Sequence, residues 1–211
     1  MNISKLALAV TSVLFAAGTA HAQLSAYGMV TVRRMTNIPY TQGTTTSTNG
    51  SIEPVGGTGG VTYNFRTVGP VRLGVDARGS ITSSTKAAYT SFVAAGGHID
   101  SGLAGLRATF HTPFLPIKPY VQGSVGVART NFGTQYNSGL ATSGVTSQTG
   151  VQLTTHLEYD AFAGVDIAIL PIMDFRLIEL GYGAIQGDSH TYPVQSLSTG
   201  VVFHLPFGLG K

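Results

Sequence analysis

The sequence predicts an all-β fold: an eight-stranded antiparallel up-and-down transmembrane β-barrel, preceded by a cleaved signal peptide. Three observations predict it. Apolar and polar residues alternate with period two along one segment after another. The connections between those segments alternate long and short. Only 10% of the 211 residues are charged, against about 25% in an ordinary soluble domain.

Composition narrows the class further. The 28 glycines and the low charge argue against long helices and coiled coils. An apolar content of 43% argues against wholesale disorder. No cysteine is present, so neither a disulfide framework nor a cysteine-based metal or redox site can form. The net charge of +3 is a small excess of 12 basic over 9 acidic residues. That is too sparse for a nucleic-acid surface, which needs clustered Lys and Arg.

Residues 1–22 read as a secretory signal peptide. Lys5 supplies the positive start, Leu6 to Ala17 an apolar stretch, and Ala20-His21-Ala22 an A-x-A cleavage site before Gln23. The apolar stretch is short for a spanning helix. One barrel domain, residues 23–211, is expected to follow.

Strand one is expected near Leu24 to Met35, with its facing left open. Strand two carries the apolar series Val61-Tyr63-Phe65. Strand three is the clearest: Val71, Leu73, Val75 and Ala77 oppose Arg72, Gly74, Asp76 and Arg78. Strand four follows Ala104-Leu106-Ala108-Phe110. In strand five Val121, Val125 and Val127 oppose Tyr120, Gln122, Ser124 and Gly126. In strand six Tyr159, Ala161, Ala163, Val165 and Ile167 oppose Asp160, Phe162, Gly164 and Asp166. Strand seven sets Ile178, Leu180 and Tyr182 against Glu179, Gly181 and Gly183. Strand eight follows Leu197-Thr199-Val201-Phe203-Leu205. Each alternating segment is roughly 8–12 residues, near what a tilted strand needs to cross a bilayer.

The connections alternate without exception. Thr36 to Gly59, Gly79 to His98, Thr130 to Gly150 and Ile185 to Pro193 are long. Thr67 to Pro70, His111 to Ile117 and Leu170 to Asp174 are short. Long loops on one side and short turns on the other are the habit of an outer-membrane barrel. The facing chemistry agrees: an apolar face meets lipid, and small, polar and charged residues face an enclosed interior. A soluble barrel would be reversed, with many more charges outside.

Three segments resemble the small outer-membrane β-barrel family of the OmpA-transmembrane-domain and opacity-protein type. Pro119 to Arg129 looks like its fifth strand, Asp174 to Tyr182 its seventh, and Leu197 to Phe203 its closing strand. The resemblance implies architecture and a place in the bacterial outer membrane, not an activity. Such barrels usually end on an aromatic residue. Here Phe203 or Phe207 would serve, and Pro206 is expected to end the strand. No peptidoglycan-binding segment is read after the last strand, so no cell-wall-anchoring role is carried over.

An eight-stranded interior is narrow enough to be filled by side chains. The inward candidates are Arg72, Asp76, Arg78, Arg107, Asp160, Asp166 and Glu179. A charge cannot stay alone in such a space. The expectation is a lumen ionic network of Arg72, Asp76, Arg107, Asp166 and Glu179, with Arg72 reaching across toward Glu179 and Arg107 joining them. The inward glycines Gly74, Gly105, Gly126, Gly164, Gly181 and Gly200 would leave gaps able to hold water, which keeps a narrow porin-like channel as the alternative.

Other motifs carry no chemistry. Gly56-Gly57-Thr58-Gly59-Gly60 lacks the rest of a phosphate-binding loop and reads as a loop entering strand two. His98, His111, His156, His190 and His204 show no metal spacing, and Ser189-His190 does not make a nucleophile–base pair, so a lipid-acting enzyme has no support. Tyr63, Phe65, Phe110, Tyr120, Tyr159, Phe175, Tyr182 and Phe203 read as interfacial girdles. No catalytic residue, cofactor, metal or nucleic-acid partner is expected. The expected partners are the outer-membrane lipid bilayer and an extracellular partner at the Thr-, Ser- and Gly-rich loops, around a monomer.

Overall fold

The computed structural model describes residues 23–42, 45–84, 87–88, 97–112, 115–130, 154–187 and 191–205. Residues 1–22, read above as a signal peptide, most of the long-loop tips, Ser189-His190 and the tail from Pro206 lie outside them. Eight long strands form the wall: β1 Gln23–Gln42, β2 Val55–Val68, β3 Val71–Ser84, β4 Gly97–Phe110, β5 Ile117–Thr130, β6 Thr154–Leu170, β7 Met173–Gln186 and β8 Thr191–Leu205. Each pairs antiparallel with its neighbours in sequence, and β8 closes on β1 from Leu24↔Leu205 to Met35↔Val194. Closure leaves the eight-stranded wall without an unpaired edge, as a sheet in lipid requires.

The register fixes the geometry of the barrel. One hydrogen-bonded row runs Arg72–Thr109–Tyr120–Gly164–Glu179–Ser198–Thr31–Gly56 and returns to β3 at Thr82. The stagger is therefore 82 − 72 = 10 residues over one circuit. A rise of ~3.3 Å per residue and a strand spacing of ~4.8 Å then give a tilt of roughly 40°.

The strands are longer than the apolar alternation predicts, at 14 to 20 residues. The alternating signal ends with the apolar band, but backbone pairing continues into polar sequence. β1 runs on to Gln42, and Thr45–Ile52 folds back along it. Ala87–Ala88 adds to that arm at Ser51 and Ile52. The segment Gly56 to Gly60 is also strand, not loop: Thr58 points inward, where its hydroxyl meets Thr31 at 2.8 Å. Gly28, Gly59, Gly79 and Gly102 pair in one row on the outer wall, so this band carries no side chains.

The two faces divide as the alternation predicts. Val30, Ile81, Leu106 and Tyr182 point outward and are each more than 60% exposed. A water-soluble monomer rarely leaves so much apolar surface uncovered. On β1 the open facing resolves with Ser25, Tyr27, Met29, Thr31, Arg33 and Met35 inward. Tyr120, expected in a girdle, is instead buried inside at 2% exposure.

Candidate functional site: the charged lumen

The interior is built in storeys. At the loop end, Met35, Ile52, Ile99, Ala128, Ile185 and Val194 form a buried apolar cap. Below it Arg33 pairs with Glu158, stands 3.6 Å from Asp160, and donates to Ser101 at 2.6 Å. Here one guanidinium serves two carboxylates, and among the described residues Glu158 Oε2 has no hydrogen-bond partner.

The middle storey holds three arginines and three acids. Arg78 meets Asp76 at 3.1 Å and Glu179 at 2.9 Å, and donates to Gln122 at 2.9 Å. Arg176 meets Asp166 at 2.8 Å and Glu179 at 3.3 Å. Arg107 meets Asp166 at 2.7 Å. Neutral donors saturate the carboxylates: Tyr27 and Thr62 donate to Asp76 at 3.0 and 2.7 Å, and Tyr120 donates to Glu179 at 2.6 Å. The guanidiniums also stack on rings. Arg107 lies 3.5 Å from the Tyr120 centroid, Arg78 4.0 Å from that of Phe162, and Arg176 4.7 Å from both Tyr27 and Tyr120. Charge pairing, saturated hydrogen bonds and flat stacking are the conditions under which buried ions can persist.

Of the five residues expected in the network, Asp76, Arg107, Asp166 and Glu179 lie in this storey. Arg72 does not. The cations on Glu179 are Arg78 and Arg176. The stagger explains the difference. Arg72 and Glu179 share one hydrogen-bonded row, but four strands at a tilt of roughly 40° raise that row by ~12 Å along the axis. Arg72 stays at the short-turn mouth, while Arg78, six residues up the same strand, reaches the acids.

Four members escaped the sequence reading of the network. Arg33 sits on the strand whose facing was open, and Glu158 lies just ahead of the segment read as strand six. Asp160 and Arg78 were read as inward but not placed in it. A fifth, Arg176, is hidden by a bulge. Val165 pairs with Ile178 and Asp166 with Arg176, so Leu177 is an extra residue. The bulge turns both Arg176 and Glu179 inward although strict alternation would separate them.

Two of the inward glycines are covered by rings. A Cβ on Gly164 would lie 2.5 Å from the Tyr120 ring, and one on Gly181 2.8 Å from the Phe162 ring. Gly164 and Gly181 are each the flat bed for an aromatic ring that crosses the lumen, whereas Gly74, Gly105, Gly126 and Gly200 lie against neighbouring backbone and the Asn64, Ser124 and Met29 side chains.

At the short-turn mouth lies a cavity of about 170 Å³, bordered by Arg72, Arg107, Lys118, His111, Asp166, Asp174, His204 and Ser25. Lys118 clamps Asp174 at 2.8 and 2.6 Å. His204 Nε2 lies 2.8 Å from Asp174, and its Nδ1 lies 2.9 Å from the Ser25 hydroxyl. Sequence spacing gives no hint of this Ser25–His204–Asp174 chain, since β8 and β1 meet only on closure. Burial, and then the Arg72 and Lys118 cations, hold the His111 imidazole below its ordinary pKa. Among the described residues no cluster of three or more His, Asp and Glu could hold a metal.

Comparison with solved structures decides the fold. Neisserial surface protein A (NspA) superposes with a TM-score of 0.58 at 16% identity, over 87% of this chain and 99% of that one. The chain has the fold of the small eight-stranded outer-membrane barrels. Looser matches are Ail, the attachment invasion locus protein of Yersinia pestis (14% identity, TM-score 0.45, 87% of this chain and 97% of that one), and the outer-membrane enzyme PagL (14%, 0.43, 86% and 98%). No family model matches the sequence, and no curated protein does.

Proposed function

We propose that this barrel resides in the bacterial outer membrane, exported by residues 1–22, and acts without catalysis as a structural and surface-interaction protein. Short turns would face the periplasm and the four long loops the exterior. The observation that carries the reading is the interior. An apolar cap, paired charges and rings lying on glycines fill the lumen, so the loops are the part left to meet partners. The lipid bilayer is its first partner, met by the apolar outer wall, and the working unit is a monomer.

The porin-like alternative requires a continuous path past Arg176, Arg78 and the cap. The enzymatic alternative draws on the Ser25–His204–Asp174 chain. In that chain, however, Asp174 is already clamped by Lys118, and Ser25 is only 3% exposed.

The test is expression in a Gram-negative host. The mature protein is expected in the outer-membrane fraction with Gln23 at its N-terminus. A cysteine placed within residues 139–150 should label on intact cells, and a fluorophosphonate should leave Ser25 unmodified. Inner-membrane retention, a labelled periplasmic turn instead of the loop, or a Ser25 adduct would each overturn the reading it addresses.

A further inference from the structure

We infer that the β4–β5 and β6–β7 turns are seated in the phospholipid leaflet on the short-turn side of the barrel, not in periplasmic water. This rests on the bilayer reading above and extends the lipid contact beneath the wall. Turns in water favour Gly, Asn, Asp and Ser. Here the β6–β7 corner reads Ile169-Leu170-Pro171-Ile172, and the β4–β5 connection carries Leu115-Pro116. Leu115, Ile169, Leu170 and Ile172 are each more than half exposed. The two connections lie side by side, because the Ala168 N–H donates to the Pro116 carbonyl at 2.8 Å. The wall above this patch is continuous with it. On β6 the outward residues from Tyr159 to Ile169 are apolar or aromatic, and on β7 so are Phe175, Leu177, Ile178 and Leu180. The patch is the lower margin of the lipid-facing surface, not an isolated spot.

A turn in lipid has a second requirement: its backbone polar groups need partners within the protein. Besides the Pro116 carbonyl, the Ile172 carbonyl accepts from the His204 N–H at 2.8 Å, and the Thr112 hydroxyl donates to the Ile117 carbonyl. Pro116 and Pro171 have no N–H to leave unpaired. The β2–β3 turn differs. It is entered through Arg66 and Thr67, both exposed, and Arg66 shares the outward face with Leu73. A guanidinium on the wall keeps its charge in the headgroup layer by extending past the hydrocarbon. Arg66 therefore marks the headgroup level on that side. Among the described residues, no charge points outward below Val121 of β5, Val165 of β6 or Leu180 of β7. Lipid contact extends lower on this side, and the partner of these turns is the acyl region of the leaflet.

The experiment uses the absence of native cysteine. Single-cysteine variants Leu115→Cys, Leu170→Cys, Ile172→Cys, Val125→Cys and Thr67→Cys are labelled with a small fluorophore. The folded mature protein is reconstituted in nanodiscs of phosphatidylcholine and phosphatidylglycerol, so that both faces meet the buffer. Quenching is read with iodide from the water and with brominated acyl chains from the bilayer. Labels at the three patch positions should be quenched strongly by brominated lipid, and by iodide several-fold less than the Thr67→Cys label. Val125→Cys, on the outer wall, should respond to brominated lipid alone. Three positions cover the patch, so one variant that fails to fold leaves the test intact. Patch labels that respond to iodide as Thr67→Cys does overturn the inference. Labels reached by neither quencher overturn it as well, because protein would then cover the turns. A Val125→Cys label blind to brominated lipid would overturn the bilayer reading itself. Lipid sensed at Val125→Cys but not at the patch overturns this inference alone.

Discussion

Arg176 is the residue at which the two halves of the middle storey meet. Its guanidinium touches Asp166 and Glu179 and lies over Tyr27 and Tyr120 with no exposed surface. Removing one partner from a buried ionic cluster typically costs about 3–5 kcal/mol, because the remaining charges lose their compensation. Arg176→Met should therefore lower stability by about that amount. Arg72→Met, at the wetter mouth, should cost under about 1 kcal/mol. Urea unfolding in micelles, followed by tyrosine fluorescence since the chain has no Trp, separates the two. Equal effects would mean that the network is not where the stability lies. The same residue shows what a sequence hides. Asp76, Arg107, Asp166 and Glu179 were legible as inward because each belongs to an apolar–polar series that alternates on at least one side of it. Arg176 was not, because the extra residue Leu177 shifts the parity between it and Glu179.

At the level of strands, alternation was legible and extent was not. Lipid selects which side chains face out, and that selection writes the period-two pattern. It has no hold on residues beyond the apolar band, so the polar continuation of β1 to Gln42 left no signal. The glycines needed three dimensions as well. Whether an inward glycine is a gap or a bed depends on a ring from another strand: Tyr120 of β5 against Gly164 of β6, and Phe162 of β6 against Gly181 of β7. A prediction follows from the contrast between positions. Gly164→Val should displace the Tyr120 ring and disturb its hydrogen bond to Glu179, costing about 1–3 kcal/mol as an overpacked site does. Gly28→Ala and Gly102→Ala, where a Cβ meets nothing within 4 Å, should be neutral. Urea midpoints in one detergent would decide it, and a tolerated Gly164→Val would refute the ring-on-glycine account.

For the whole molecule, eight strands and a stagger of ten residues set a narrow, steeply tilted cylinder, and the stagger decides which charges meet. It carries the Arg72 row up the wall and brings Arg78 to Glu179. The sequence supplied the strand count and the charges but not the stagger, which depends on how β8 closes on β1. Closure also creates the mouth chain from Ser25 and His204, 179 residues apart. The central claim is that this cylinder is closed to solutes. The most direct test is ion and sugar flux through liposomes holding the mature protein, with folding verified by the gel shift between unheated and boiled samples. Vesicles as tight as protein-free controls are predicted, and Arg176→Met should be the variant that leaks. Steady salt or sugar flux through the unmodified, folded barrel would contradict the account.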